Sequence, residues 1–280
     1  MKVGLLSPNG SRSFRPVMFA LAGLGLLLAA MPVIIVVVMS FSASKTPSFP
    51  PNAFSFRWYQ KAIELLSADE SGSAISIWDA LTTSILTGAL TMLISVLVCV
   101  PLAYALVRRG GTARQIVELL FTLPLVFPLV VLGIAFLMLA ATLDADLGIW
   151  RLVIPHLALA MPFVLRNCLS AMHGIGLDIE EAAVSLGATP LRAAWDVVLP
   201  LMRPGILAGL IFAFIISFNE FTVTFFMYTI DIGTLPIWMY SRTVSSLDPA
   251  TLALATIIIL FDVTLIMLLD AVVARRAHVF

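Results

Sequence analysis

Three stretches of this sequence, residues 17–41, 81–107 and 119–143, contain no Asp, Glu, Lys, Arg or His. Each exceeds the roughly 20 predominantly apolar residues that a helix needs to cross a bilayer. Three further stretches qualify with one or two ionisable exceptions: 152–172 with His156 and Arg166, 205–230 with Glu220, and 250–269 with Asp262. Lipid is therefore the expected solvent. Composition agrees: 61% of the 280 residues are hydrophobic and 11% charged, against about 45–50% and 25% in soluble domains. Mean hydropathy is +1.07. The alternating pattern of barrel strands is absent, so the expected fold is an all-α membrane protein of six transmembrane helices, one transmembrane domain spanning 1–280.

Charge sets the expected orientation. With the N-terminus inside, Lys2, Arg12, Arg15, Arg108, Arg109, Arg114, Arg166, Arg192, Arg203, Arg275 and Arg276 face the cytoplasm. Lys45, Arg57, Lys61, Arg151 and Arg242 are left outside, together with Glu64, Asp69, Glu70, Asp79, Asp144, Asp146, Asp231 and Asp248. Short cytoplasmic loops carry the Lys/Arg excess, so both termini are assigned there. Trp58, Trp78, Trp150 and Trp238 fall near the outer boundary, where amphipathic rings settle. The first apolar run is much longer than the roughly 7–15 residues of a signal-peptide core and reads as an uncleaved anchor. The outer segment after it predicts a short amphipathic helix near 56–66. A net charge of zero leaves no basic patch for nucleic acid. Cys99 and Cys168 lie in apolar stretches and read as small core residues.

The cytoplasmic segment 178–200 has a compact, punctuated pattern. Asp178 followed by Glu181 has the form of a capping box; Ala182, Ala183 and Leu186 continue a helix, and Gly187 stops it. Thr189 and Pro190 then open a second short helix as N-cap and first residue. Leu199-Pro200 and Pro204-Gly205 are expected to turn the chain into the fifth span. Small alanines beside Glu181 suit a surface that another protein approaches closely, whereas the simpler reading is an interfacial helix pair packed on its own bundle.

Glu181-Ala182-Ala183, Gly187 after three residues, and Val197-x-Leu199-Pro200 after nine more resemble the EAA loop of ABC importer permeases. The one departure is Val197, where that family usually has Ile. Phe56-Arg57-Trp58-Tyr59, Arg203-Pro204-Gly205-Ile206, Ser217-Phe218-Asn219-Glu220 with Thr224-Phe225-Phe226, and Thr234-Leu235-Pro236-Ile237-Trp238-Met239 are similar to permeases of the spermidine/putrescine type. Iron(III), phosphonate and opine permeases share parts of these segments. The resemblance implies that Glu181, Ala182, Ala183, Gly187, Leu199 and Pro200 couple the chain to a separate ATP-binding subunit dimer. It also implies a second permease subunit, an extracytoplasmic solute-binding protein and residence in the bacterial inner membrane.

Ionisable groups inside spans are costly and functional by default. Counted from Gly205 at about 1.5 Å per residue, Glu220 falls about 23 Å along the fifth span. Asn219, Glu220 and Asp262 are the candidates for a solute path that suits a cationic amine, with a structural role as the alternative for each. His156 reads as a packing residue, and Pro101, Pro124, Pro128 and Pro162 as possible helix kinks. No phosphate-binding G-x-x-x-x-G-K-[ST] loop, H-E-x-x-H pair or G-x-S-x-G turn occurs, so no enzymatic activity, metal or cofactor is expected in this chain. An ion-coupled secondary transporter using Glu220 and Asp262 is the second reading; the inverted repeats usual in such folds are not evident, and the 178–200 loop would have no role.

Overall fold

A computed structural model describes residues 10–46, 49–67, 75–143, 147–245 and 249–277. Lys2, Asp69, Glu70, Asp144, Asp146 and Asp248 lie outside the described residues. Twelve α-helices follow in order among the described residues. They are α1 (Gly10–Ser40), α2 (Arg57–Ser67), α3 (Ile77–Arg109), α4 (Thr112–Thr122), α5 (Leu129–Leu143) and α6 (Trp150–His173), then α7 (Leu177–Ser185), α8 (Pro190–Ala193), α9 (Leu199–Phe218), α10 (Thr224–Met227), α11 (Leu235–Ser245) and α12 (Pro249–Ala277). Five helical runs are long and apolar enough to cross a membrane: Pro16–Ser40, Ile77–Arg109, Trp150–His173, Pro190–Phe218 and Pro249–Ala271.

The remaining expected span, 119–143, is not one helix. Arg114–Leu125 and Leu129–Leu143 meet at 97°. Pro128 cannot donate a backbone hydrogen bond, and its ring would collide with the carbonyl four residues earlier, at Pro124. The helical run breaks at that pair. By contrast α3 and α6 run unbroken through Pro101 and Pro162.

The fifth span also departs from its expected limits. It starts upstream at Pro190 and ends at Phe218, with a π turn over Ala194–Val198 joining α8 to α9. There is no turn at Leu199-Pro200. In α geometry the Pro200 ring would strike the Asp196 carbonyl. The wider turn, in which the Leu199 N–H donates to the Ala194 carbonyl, moves that carbonyl aside and lets the helix continue.

Contacts divide the chain into two compact units, residues 1–64 with 246–259 and residues 65–245 with 260–280. In the first, the segment after α1 folds back on the helix end. Ala43 N–H donates to Ala53 O (2.8 Å) and Ser55 N–H to Phe41 O (2.7 Å). Trp58 Nε1 donates to Ser42 O at 2.7 Å, and Phe41 packs on Phe56 and Tyr59. Trp58 and Trp238 are buried and Trp78 and Trp150 exposed; Trp58 is covered by the segment after α1, whereas Trp238 lies within α11.

The second unit is organised on α3, α6 and α9, which pack against one another. Ser84, Gly88, Thr91, Ser95, Cys99 and Ala103 form a buried stripe along α3. Small residues at that spacing let membrane helices approach closely. A Cβ on Gly205 would lie 2.5 Å from the Ala171 Cβ and 2.7 Å from the Asn167 carbonyl oxygen, so α9 meets α6 where only glycine fits. Cys99 and Cys168 sit in this core as free thiols.

Candidate functional site: the loop between α6 and α9 and the break after α9

The chain leaves α6 through Gly174–Gly176 and enters α7 without a side-chain cap. The expected Asp178–Glu181 capping box is therefore not formed. Gly176 is the N-cap, and a Cβ there would meet Asp178 Oδ1 at 2.1 Å; Asp178 sits inside the first turn, two residues past the capping position. With Glu180 it still places negative charge at the positive end of the helix dipole. Gly187 ends the helix with φ +99, a left-handed conformation that glycine adopts without strain, and the Ala188 N–H closes on the Ala183 carbonyl at 3.1 Å. Thr189 caps α8 as expected, accepting from the Arg192 N–H at 3.3 Å, with Pro190 at its first turn.

The loop is fastened to α3 by a residue that sequence reading passed over. Glu180 is buried; its Oε2 accepts from Arg108 Nε at 2.7 Å, and its Oε1 accepts from the Tyr104 hydroxyl. Arg108 Nη1 also donates to the Ile175 carbonyl at 3.3 Å. Successive helix residues point about 100° apart, so only one of the adjacent Glu180 and Glu181 can turn inward. That geometry was the available signal for a buried partner. Glu181 and Ala182 remain exposed and Ala183 half-buried, while Leu199 and Pro200 are half-buried within the continuous helix.

Around Glu181 the loop shows water an apolar surface. Leu186 is 90% exposed, Leu191 71% and Trp195 63%. Beside them a cleft of about 630 Å³ is lined by Val100 and Tyr104 of α3 and by Trp195, Val198 and Met202. Exposed apolar side chains on a loop held by a buried ion pair have the character of a surface that suits a protein partner.

At its other end α9 stops at Phe218, so Glu220 lies beyond the helix in a turn and not within a continuous span. The helix begins earlier than Gly205 and is used up sooner. Glu220 Oε1 accepts from the Val223 N–H at 2.7 Å, holding the entry to α10. His156 is buried with both ring nitrogens engaged, Nδ1 with Ser217 Oγ at 2.7 Å and Nε2 with Thr224 Oγ1 at 2.8 Å. It is a packing residue that clamps both sides of the break. Asn219 and Asp262 are brought together, with Asn219 Nδ2 donating to Asp262 Oδ2 at 2.9 Å.

Comparison with known proteins places this geometry. Residues 95–279 match the family described as "Binding-protein-dependent transport system inner membrane component". The chain is 26% identical over 250 residues to the spermidine/putrescine transport system permease protein PotC of Haemophilus influenzae, covering 88% of this chain and 92% of that one. It is 29% identical over 242 residues to the putrescine transport system permease protein PotI of Escherichia coli, covering 84% and 83%. A putative 2-aminoethylphosphonate permease of Salmonella typhimurium is 27% identical over 242 residues, covering 86% and 88%. Among solved structures, a bacterial ABC transporter that imports alginate superposes with TM-score 0.62 at 20% identity, covering 98% of this chain and 99% of that one.

Proposed function

The chain belongs to the binding-protein-dependent transport system inner membrane component family, and from that premise we propose that it forms half of the translocation path of an ATP-driven importer for polyamines. It is a multi-pass protein of the bacterial inner membrane. The α7–α8 loop faces the cytoplasm and seats an ATP-binding subunit dimer, with Glu181, Ala182, Ala183 and Gly187 at the contact and Leu199 and Pro200 in the helix behind it. A second permease completes the path, and a solute-binding protein delivers cargo on the opposite face. Asn219, Glu220 and Asp262 lie along the solute's route.

The observation that carries this reading is the loop itself. Its exposed face, Leu186, Leu191 and Trp195 beside Glu181, is backed by the buried Glu180–Arg108 pair. Force applied to α7 therefore reaches α3 through a fixed contact. The polyamine assignment is supported by relatives that carry that name over most of their length, and by carboxylates placed where the fifth and last spans meet.

A mild-detergent pull-down of the tagged chain from its native membrane tests the coupling surface. We expect a P-loop ATPase to co-purify with the wild type and to be lost with Glu181→Lys, while the variant stays in the membrane. Undiminished ATPase recovery and uptake with Glu181→Lys would remove that residue from the interface.

A further inference from the structure

Two carboxylates lie at the end of the fifth span, and they are used differently. Glu220 is committed to backbone: its Oε1 holds the Val223 N–H where the chain enters α10. Asp262 is not. Its Oδ2 accepts from Asn219, while Oδ1 is covered and has no hydrogen-bond partner. Asn219 Nδ2 donates to both Asp262 and the Ile215 carbonyl, which uses both amide hydrogens and leaves the Asn219 carbonyl oxygen as a second open acceptor.

The surroundings are aromatic. Asn219 follows Phe218 and Asp262 follows Phe261 in the chain, and both of those rings belong to one cluster. Phe214 and Phe218 stack at 5.5 Å, Phe218 and Phe261 lie 5.8 Å apart, and Phe214 and Phe261 6.2 Å. We infer that Asn219 and Asp262 form a subsite for one ammonium group of the transported solute, with Asp262 as the charged ligand and Glu220 as a structural cap. The inference rests on the polyamine reading above.

The chemistry is matched on each count. An ammonium brings three donors and no acceptor, against two acceptors that lack donors here. A carboxylate oxygen closed off from water and unpaired is costly, and a cation relieves that cost with a charge-assisted hydrogen bond. With Oδ1 covered, the subsite is shut in this conformation, so solute reaches it only when the α9 end and α12 separate.

The test uses the complete transporter with its ATPase, second permease and binding protein in proteoliposomes, with uptake of labelled spermidine and ATP hydrolysis measured together. Asp262→Asn keeps the size of the side chain and removes its charge. Spermidine moved per ATP should fall by about tenfold or more, the scale of a lost charge-assisted hydrogen bond. Binding-protein-stimulated ATP hydrolysis should persist, and Asp262→Glu should recover most of the uptake. Asp262→Asn moving spermidine at the wild-type ratio overturns the subsite alone. A wild-type complex that moves neither diamine nor triamine overturns the polyamine reading and the subsite with it. If Asp262→Asn fails to assemble, Asn219→Asp decides: a second carboxylate should shift the ratio of spermidine to putrescine uptake by about threefold or more, and an unchanged ratio counts against the subsite.

Discussion

Arg108 and Glu180 meet at 2.7 Å with side chains only 14% and 11% exposed. Breaking such a pair by removing one partner leaves a buried charge uncompensated, a loss of about 3–5 kcal/mol. Arg108→Met should therefore release α7 from α3. We expect faster proteolysis across 174–188 and weaker ATPase recovery in that variant. The double variant Arg108→Met/Glu180→Gln, which removes both charges, should restore about half the loss or more, as a double-mutant cycle reads it. Single residues were unevenly legible in the sequence. Glu181 was found through the spacing of its neighbours, whereas Glu180 was hidden beside it, because pairing with Arg108 is a tertiary fact with no local signature. Glu220 stood out as a charge in an apolar run, but its carboxylate turned back on the backbone once the helix ended at Phe218. Asp262, equally visible, gained its meaning only from Asn219 across the fold.

At the scale of elements, the π turn over Ala194–Val198 sets the rotation of α8 relative to α9. One residue of helical register is about 100°. Pro200→Ala removes the ring that forces the wide turn, so α8 relaxes towards α geometry and Leu191 and Trp195 swing off the docking face. ATP-coupled uptake should fall by about tenfold, equivalent to about 1.4 kcal/mol of docking, without loss of the protein from the membrane. The α6–α9 crossing gives a second prediction. Gly205→Ala drives a Cβ to 2.7 Å from the Asn167 carbonyl, and thermal unfolding in detergent should report a loss of about 1–3 kcal/mol. Gly23→Ala, with nothing within 4 Å of the added carbon, should leave the melting temperature unchanged. Five of the six expected spans were plain from apolar run length alone, short helices such as α10 and α11 were not, and the caps at Gly187 and Thr189 followed from local chemistry. Helix limits were not: the prolines at 124, 128 and 200 look alike in sequence, yet one pair breaks its span by 97° while Pro200 is absorbed by a π turn. Which outcome a proline brings depends on whether neighbouring turns can widen, and that is decided by packing.

For the whole molecule, membrane residence follows from composition and family follows from the match over residues 95–279. The loop carrying Glu181 and Trp195 joins the ends of α6 and α9 that lie far from the break carrying Asn219, so the proposed motor and cargo contacts fall at opposite ends of one helix. Under the proposed function, ATP acts on the loop face and solute enters from the other. The most direct test reconstitutes the complete transporter in proteoliposomes of fixed orientation and measures labelled spermidine entry with ATP supplied only on the α7–α8 face. The account predicts entry that needs ATP on that face and the binding protein on the opposite one, and that is indifferent to a proton gradient. Entry that proceeds without the ATPase and collapses when the proton gradient is dissipated would contradict it.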